Sequence, residues 1–113
     1  MPDERLERIA ANENRFRGIN DDLRAGLAKL PREPDVVPFV CECGHGTCTA
    51  TLELTVAQYE SVRANSRRFI VLPGHEIPDT EVVVAHIAGY ALVEKRPASG
   101  SLVDRADPRR DQH

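Results

Sequence analysis

The chain has 113 residues, which is the length of one domain with short tails. Hydrophobic residues make up 41% and charged residues 29% of it, as is usual for a soluble globular protein. Its 15 basic and 18 acidic side chains give a net charge of −3, so the composition argues against a general nucleic-acid binder.

The sequence has no apolar run of about 18 residues, so it predicts no membrane span. The N-terminal stretch "MPDERLERIA" is charged and lacks the apolar segment of a secretory signal. We therefore expect a cytoplasmic protein whose thiols are kept reduced.

Residues 1–30 are predicted to form an amphipathic N-terminal helix, because no proline interrupts residues 3–30 and Pro31 ends the segment. Its apolar residues repeat every seven positions, which indicates a narrow heptad stripe. The stripe consists of Ile9, Phe16, Leu23 and Leu30, with Leu6, Glu13, Asn20 and Leu27 at the companion positions. Such a helix is about 42 Å long, and a body of about 60 residues has a radius of gyration of only about 10 to 11 Å. Three arrangements stay open: packing on the chain's own body, self-association as a coiled coil, and docking on a protein partner.

The remaining chain divides into a linker, a body and a tail. Residues 31–38, "PREPDVVP", carry three prolines and predict an extended linker. Residues 39–96 predict the compact body, and the polar residues 97–113 predict a disordered tail.

The body predicts an α+β fold with a small antiparallel sheet and one short helix. "FVCEC" and "TATLELT" are typical of strands joined by the turn "GHG". Thr55 and Gln58 predict a capping box, and the helix over residues 56–65 turns Val56, Tyr59, Val62 and Arg63 inward. Strands follow at Phe69–Leu72 and in "EVVVAHIAGYALVEK", with a turn near Ala88 and Gly89.

Three cysteines in this body have the spacing C-x-C-x4-C, with glycines at 44 and 46 that allow the backbone to turn sharply. Zinc takes four tetrahedral ligands, so the fourth comes from elsewhere. His75, in "LPGHE", follows a glycine at the end of a strand expected to neighbour the cysteines, and we favour it. The predicted zinc ligands are Cys41, Cys43, Cys48 and His75, with His45 as the alternative fourth ligand.

The other histidines are weaker candidates, since His86 lies in a predicted strand and His113 in the predicted tail. An iron–sulfur cluster usually needs a fourth cysteine, although iron in this site is not excluded by the sequence. Glu42, between two ligands, should point away from the metal and is predicted to be exposed.

Other chemistry is compatible with the same residues. Oxidation of Cys41 and Cys43 would make a redox switch that releases zinc. A catalytic cysteine would use His75 as base, with Glu76 or Asp79 to orient it. A zinc hydrolase would need an open coordination position and Glu42 or Glu76 as base, but three thiolates weaken the Lewis acidity of the metal.

Two further features carry weaker predictions. Arg63, Arg67 and Arg68 form a small basic cluster that suits either a solvated helix end or a phosphate or RNA contact. Tyr59 and Tyr90 are expected in the core with their hydroxyl groups at the surface.

The motifs "FVCECG...C", "LT..QYESVR", "F.V.PGHE.P" and "Y.LVEK" resemble a group of small uncharacterised bacterial proteins, mainly actinobacterial. The likeness covers about residues 12–96 and includes the helical stretch "NENRFRGIN". It implies that the three cysteines and His75 match that group's cysteines and Pro-Gly-His, and that they form a zinc site. The chain departs from the group where "GHG" replaces a more polar or acidic turn, which adds His45 as a rival ligand, and where Gln58 stands at a position that is often glutamate.

The sequence as a whole therefore predicts a non-enzymatic, zinc-stabilised α+β module. Its N-terminal helix is expected to contact a protein partner or a second copy through Ile9, Phe16, Leu23 and Leu30. A redox-responsive zinc–thiolate regulator is the alternative, and a zinc hydrolase or an RNA-contacting protein is more remote.

Overall fold

A computed structural model describes residues 4–109 and confirms the predicted α+β class. The elements in chain order are α1 (Glu4–Leu27), β1 (Val37–Val40), β2 (Thr51–Leu54), α2 (Val56–Arg63), β3 (Arg68–Val71), β4 (Glu81–Ile87), β5 (Tyr90–Lys95) and α3 (Pro97–Arg105). Over the described range, none of the helices has the length and apolar character that a bilayer crossing requires.

The predicted antiparallel strands are present, but they form two sheets. β1 and β2 pair as a hairpin, and the second sheet has the order β3-β5-β4. The segment after β1 runs beside β3, where the Glu42 amide donates to the Ile70 carbonyl at 2.8 Å. Gly89, with φ +89°, makes the predicted turn between β4 and β5. The cysteine segment is thereby fixed against the three-stranded sheet.

The short helix α2 follows the prediction closely. Thr55 caps it, and the capping box with Gln58 is complete. The buried residues of the helix are the four predicted ones, Val56, Tyr59, Val62 and Arg63. The Tyr59 ring stacks on Phe39 with ring centroids 4.4 Å apart, which joins α2 to the β1–β2 hairpin.

The heptad face of α1 packs on the chain's own body. Ile9 and Phe16 are buried, and the polar residues Glu13 and Asn20 on the same face are 0% exposed. Leu23 and Leu27 are partly buried against the core, and Leu30 lies beyond the helix and is exposed. Of the three arrangements that the sequence left open, packing on the body is present.

The prediction of a disordered segment from residue 97 is wrong for most of it, because Pro97–Arg105 forms α3. Pro97 suits the first turn of a helix, where its missing N–H costs nothing, and Val103 is fully buried. The Asn14 side chain donates to the Val103 carbonyl at 3.2 Å, so α3 covers part of α1. The body on which α1 packs is therefore larger than residues 39–96, which explains why so long a helix is covered.

The linker prediction is also wrong at its end, since Val37 and Pro38 belong to β1 and Val37 is 2% exposed. Pro38 is compatible with β1 because each strand of a two-stranded hairpin has one open edge, where the missing N–H of proline needs no partner. Residues 110–113, including His113, lie outside the described residues.

A buried group of charges ties α1 to the second sheet. The Lys95 ammonium donates to Glu13 at 2.9 Å, to Thr80 at 3.0 Å and to Glu81 at 2.8 Å. We refer to these four residues as the charged centre. Burial is the main reason that the pKa of Glu13 rises to about 8.

Candidate metal site

The first two cysteines are positioned by backbone hydrogen bonds on both sides of their segment. The Cys41 amide donates to the Ala50 carbonyl at 2.9 Å, which continues the β1–β2 hairpin, and the Glu42 amide donates to Ile70 on β3. Since alternate side chains of an extended segment point to the same side, Cys41 and Cys43 face one way and Glu42 the other. The Cys48 amide donates to the His45 carbonyl at 3.0 Å and closes a turn that returns the third sulfur to the first two.

His75 is positioned by the turn that follows β3. Gly74 has φ +93°, a conformation that favours glycine, and the His75 amide donates to the Leu72 carbonyl at 2.9 Å. The Glu76 carboxylate accepts from the Gly74 amide at 2.9 Å and reinforces the turn. The imidazole is thereby brought back to the end of β3, where the cysteine segment lies.

The structure brings all four predicted residues together. The potential ligand atoms of Cys41, Cys43, Cys48 and His75 lie within 4.8 Å of one another. His75 Nδ1 is 3.7 Å from the Cys41 sulfur and 3.6 Å from the Cys48 sulfur. Tetrahedral zinc with bonds of about 2.3 Å to sulfur and about 2.0 to 2.1 Å to nitrogen separates such atoms by about 3.5 to 3.6 Å. This group, which we call the metal knuckle, has a geometry that can hold one metal ion.

The metal knuckle is buried on one side and open on the other. Cys41 and Cys43 are 1% and 0% exposed, whereas Cys48 and His75 are half-buried. The Leu72 amide donates to the Cys41 sulfur at 3.1 Å. Hydrogen bonding with Cys41 lowers the pKa of Cys43 to about 5, and the same contact raises the pKa of Cys41. The group thus carries a thiolate at neutral pH, which is the form that binds metal ions.

The other two histidines of residues 4–109 lie outside the cluster. The His45 ring is exposed and stands edge-on to that of His75, with centroids 5.8 Å apart. His86 is exposed on β4. The fourth member of the cluster is therefore His75, the favoured residue, and not the alternative His45.

The prediction that Glu42 is exposed is wrong. Its side chain points away from the cysteines as expected, but that side is the protein core, and Glu42 is 0% exposed. Its carboxylate accepts from Asn20 at 2.9 Å, from the Tyr59 hydroxyl at 2.7 Å and from the Ile70 amide at 3.2 Å. Burial raises the pKa of Glu42. The Tyr59 hydroxyl is consequently buried too, and does not reach the surface as predicted.

Helix α1 supports the metal knuckle from outside, which the sequence reasoning missed. Asn12 donates to the Gly44 carbonyl at 2.9 Å, and Arg15 donates to the Gly46 carbonyl at 2.8 Å. A Cβ on Gly44 would lie only 2.6 Å from Ile9 Cγ2, so the helix approaches the loop closely. The polar stretch "NENRFRGIN" was the available signal, since it belongs to the motifs that carry the family resemblance.

The carboxylates considered for catalysis and the basic cluster all have partners. Asp79 forms an exposed ion pair with Arg5 at 2.6 Å, and Glu76 is engaged by the Gly74 turn. The guanidinium groups of the cluster are paired as follows: Arg63 with Asp21 and Asp107, Arg67 with Asp104, and Arg68 with Glu94. These pairings offset the positive charge that a phosphate or RNA contact would use.

Comparisons of the chain with protein-family models, curated proteins and solved structures find no match. The resemblance suggested by the sequence motifs stays a prediction, and function is inferred from the chemistry of the site.

Proposed function

We propose that this chain is a non-enzymatic module whose metal knuckle binds one structural zinc ion. The observation that carries the proposal is the convergence of three sulfurs and one imidazole nitrogen, from two separate segments, within 4.8 Å. Thiolate and imidazole ligands in a tetrahedral arrangement are characteristic of structural zinc sites.

Zinc suits this donor set better than the other metals considered. Calcium and magnesium prefer oxygen ligands, and iron–sulfur clusters are generally held by four cysteines. The three cysteines and one histidine here satisfy zinc without a further donor.

The donor set also favours a structural over a catalytic role. Four protein ligands fill the tetrahedral positions, so none is left for a reacting water. Three thiolates more than offset the charge of the ion and weaken it as a Lewis acid. Glu42, one of the two candidate bases, is held in the core by Asn20 and Tyr59.

A zinc ion at this position would add a cross-link between two separate segments of the chain. It would tie residues 41–48, which have little regular secondary structure, to the turn after β3. Apparent zinc-binding free energies in zinc-finger peptides are on the order of 10 to 16 kcal/mol, whereas the net stability of a folded domain is only about 5 to 15 kcal/mol. Since Asn12 and Arg15 bind the same loop, the ion would also fix the surface on which α1 rests.

Native mass spectrometry of the whole chain tests the proposal. We expect one zinc ion per chain, and loss of that ion in Cys43→Ser and in His75→Ala. His45→Ala is the matched control and should keep the ion, because its ring is outside the cluster. Retention of zinc by His75→Ala together with its loss from His45→Ala would reject the assigned ligand set.

We also propose that the module contacts another protein molecule through α1, but not through the buried part of the heptad stripe. Ile9 and Phe16 are buried, whereas Ile19 and Leu30 are 46% and 49% exposed. These exposed apolar side chains, one on α1 and one in the segment that follows it, are the support for an interaction surface.

The contact is tested by measuring molecular mass against concentration by light scattering. Self-association that Ile19→Asp weakens, and that the distant exposed change Glu53→Gln leaves unchanged, would support it. A monomer at every concentration, with cross-linking in cell extract identical for both variants, would refute it.

A further inference from the structure

We propose that Cys48 is the reactive sulfur of the metal knuckle and that it is reversibly modified by small disulfides, with release of the bound metal ion. The inference rests on the proposed zinc site, and it assigns to one ligand a role that the other three do not share.

Accessibility separates Cys48 from the other cysteines. Cys41 and Cys43 are 1% and 0% exposed, so a reagent reaches their sulfurs only if the protein opens locally. Cys48 is half-buried, and its neighbours Thr47 and Thr49 are exposed. A small molecule can therefore approach the sulfur of Cys48 in the folded chain.

Hydrogen bonding also separates the Cys48 sulfur from that of Cys41, whereas Cys43 is set apart by its burial alone. The Cys41 sulfur accepts the Leu72 amide at 3.1 Å, which withdraws electron density from it. Over residues 4–109, no backbone amide donates to the sulfur of Cys48, whose polar contacts are with side chains of the cluster, among them the His75 ring at 3.6 Å. A zinc-bound thiolate without such a donor keeps more of its nucleophilicity.

The backbone around Cys48 allows the sulfur to leave the site. Cys41 lies in a segment bonded to Ala50 on one side and beside β3 on the other, so its displacement would disrupt both sheets. Residues 44–50 lie outside the strands, and the bond from the Cys48 amide to His45 is within the same loop. Movement of Cys48 away from the metal thus breaks no strand pairing.

The reaction is a thiol–disulfide exchange. The Cys48 thiolate attacks one sulfur of the disulfide, a new S–S bond forms, and the second sulfur leaves as a thiolate with the electron pair of the broken bond. The disulfide is the oxidant, and Cys48 is oxidised to a mixed disulfide. The ion keeps three ligands and dissociates more readily, and a thiol in excess reverses the exchange.

This assignment differs from the redox switch that the sequence suggested. The C-x-C spacing made Cys41 and Cys43 the expected pair, but both sulfurs are on the buried side. The half-buried third cysteine is the one that a reagent meets first.

The test uses the whole zinc-loaded chain and hydroxyethyl disulfide, a small uncharged reagent. Peptide mass spectrometry should place the first adduct on Cys48, at a rate about tenfold or more above that of the other two cysteines. A chromophoric chelator should detect zinc release in parallel, and reduction with added zinc should restore the ion. First modification of Cys41 or Cys43, or equal rates at all three, would overturn the proposal.

Two variants keep the result interpretable. Cys48→Asp retains an oxygen ligand for zinc but has no sulfur there, so we expect zinc to bind more weakly and its release by the disulfide to become slow. Thr47→Ser is the matched control and should behave as the parent chain. Rapid disulfide-driven release from Cys48→Asp would refute the role of Cys48.

The zinc content before treatment separates the two proposals. A parent chain that binds no zinc would defeat the proposed function itself. Zinc binding with modification at another cysteine would defeat only this inference.

Discussion

The metal knuckle and the charged centre are both clusters of polar side chains in the fold, but their charges are balanced in different ways. Both bring polar side chains together from distant parts of the chain, as with Cys41 and His75 in one and Glu13 and Lys95 in the other. In the charged centre the chain supplies both the acceptors and the cation, since Lys95 lies between two glutamates. In the metal knuckle it supplies four electron-pair donors and no cation. The metal knuckle therefore needs a cation from solution, whereas the charged centre does not. Experiments can test this difference.

Metal removal should have the largest effect. We expect chelation to lower the free energy of unfolding severely, because zinc binding on the order of 10 kcal/mol is comparable with the whole stability of such a domain. Calorimetry and circular dichroism of the chelated chain, with zinc or magnesium added back, measure it. Zinc should restore the transition, and magnesium, which prefers oxygen ligands, should not. The same unfolding transition with and without chelator would mean that the metal knuckle, like the charged centre, is stable without an added ion.

Lys95→Met removes the internal cation of the charged centre. The buried Glu81 carboxylate then loses its cation and keeps only the Ile77 amide and the Thr80 hydroxyl as donors, so we expect a loss of about 3 to 5 kcal/mol in chemical denaturation. Arg68→Met is the matched control, because the pair of Arg68 with Glu94 is 39% and 37% exposed and should contribute less than about 1 kcal/mol. A similar loss of stability in both variants would show that burial of the ion pair does not determine the size of the effect.

Gly44→Ala tests the contact between α1 and the metal knuckle. The new methyl group would lie 2.6 Å from Ile9 and 2.8 Å from Ile77, so we expect destabilisation by about 1 to 3 kcal/mol and weaker zinc binding. Gly26→Ala is the opposite control, since nothing lies within 4 Å of its added Cβ and alanine favours a helix by up to about 1 kcal/mol. Destabilisation by both changes would contradict the packing argument.

Glu13→Gln is expected to leave the stability at low pH nearly unchanged and to show its effect only as a change in pH dependence. Because the pKa of Glu13 is raised to about 8, its protonated form stabilises the fold fully below pH about 4.5, and this contribution is lost as the pH rises through about 8. Glutamine imitates the protonated form at every pH. At saturating zinc, the unfolding free energy of the parent minus that of the variant should therefore decrease as the pH rises from about 4.5 to about 8. A difference that is constant with pH would exclude Glu13 as the titrating group.

The local features were determined by the sequence. The spacing of the cysteines, the glycine before His75 and the capping residues Thr55 and Gln58 act over a few residues, so their patterns predicted the cluster and α2 correctly. The heptad repeat likewise identified the buried face of α1, because helical periodicity depends only on spacing along the chain.

Only the tertiary structure decided which partners the buried side chains of these elements contact. Glu13 is buried with a hydrogen bond from Lys95, 82 residues away, and Glu42 is buried with hydrogen bonds from Asn20 and Tyr59. The polar segment after residue 96 becomes α3 because α1 offers it a surface on which Val103 is buried. The free energy of burying a charge or ordering a polar segment depends on partners that the fold brings from elsewhere, and no local pattern specifies them.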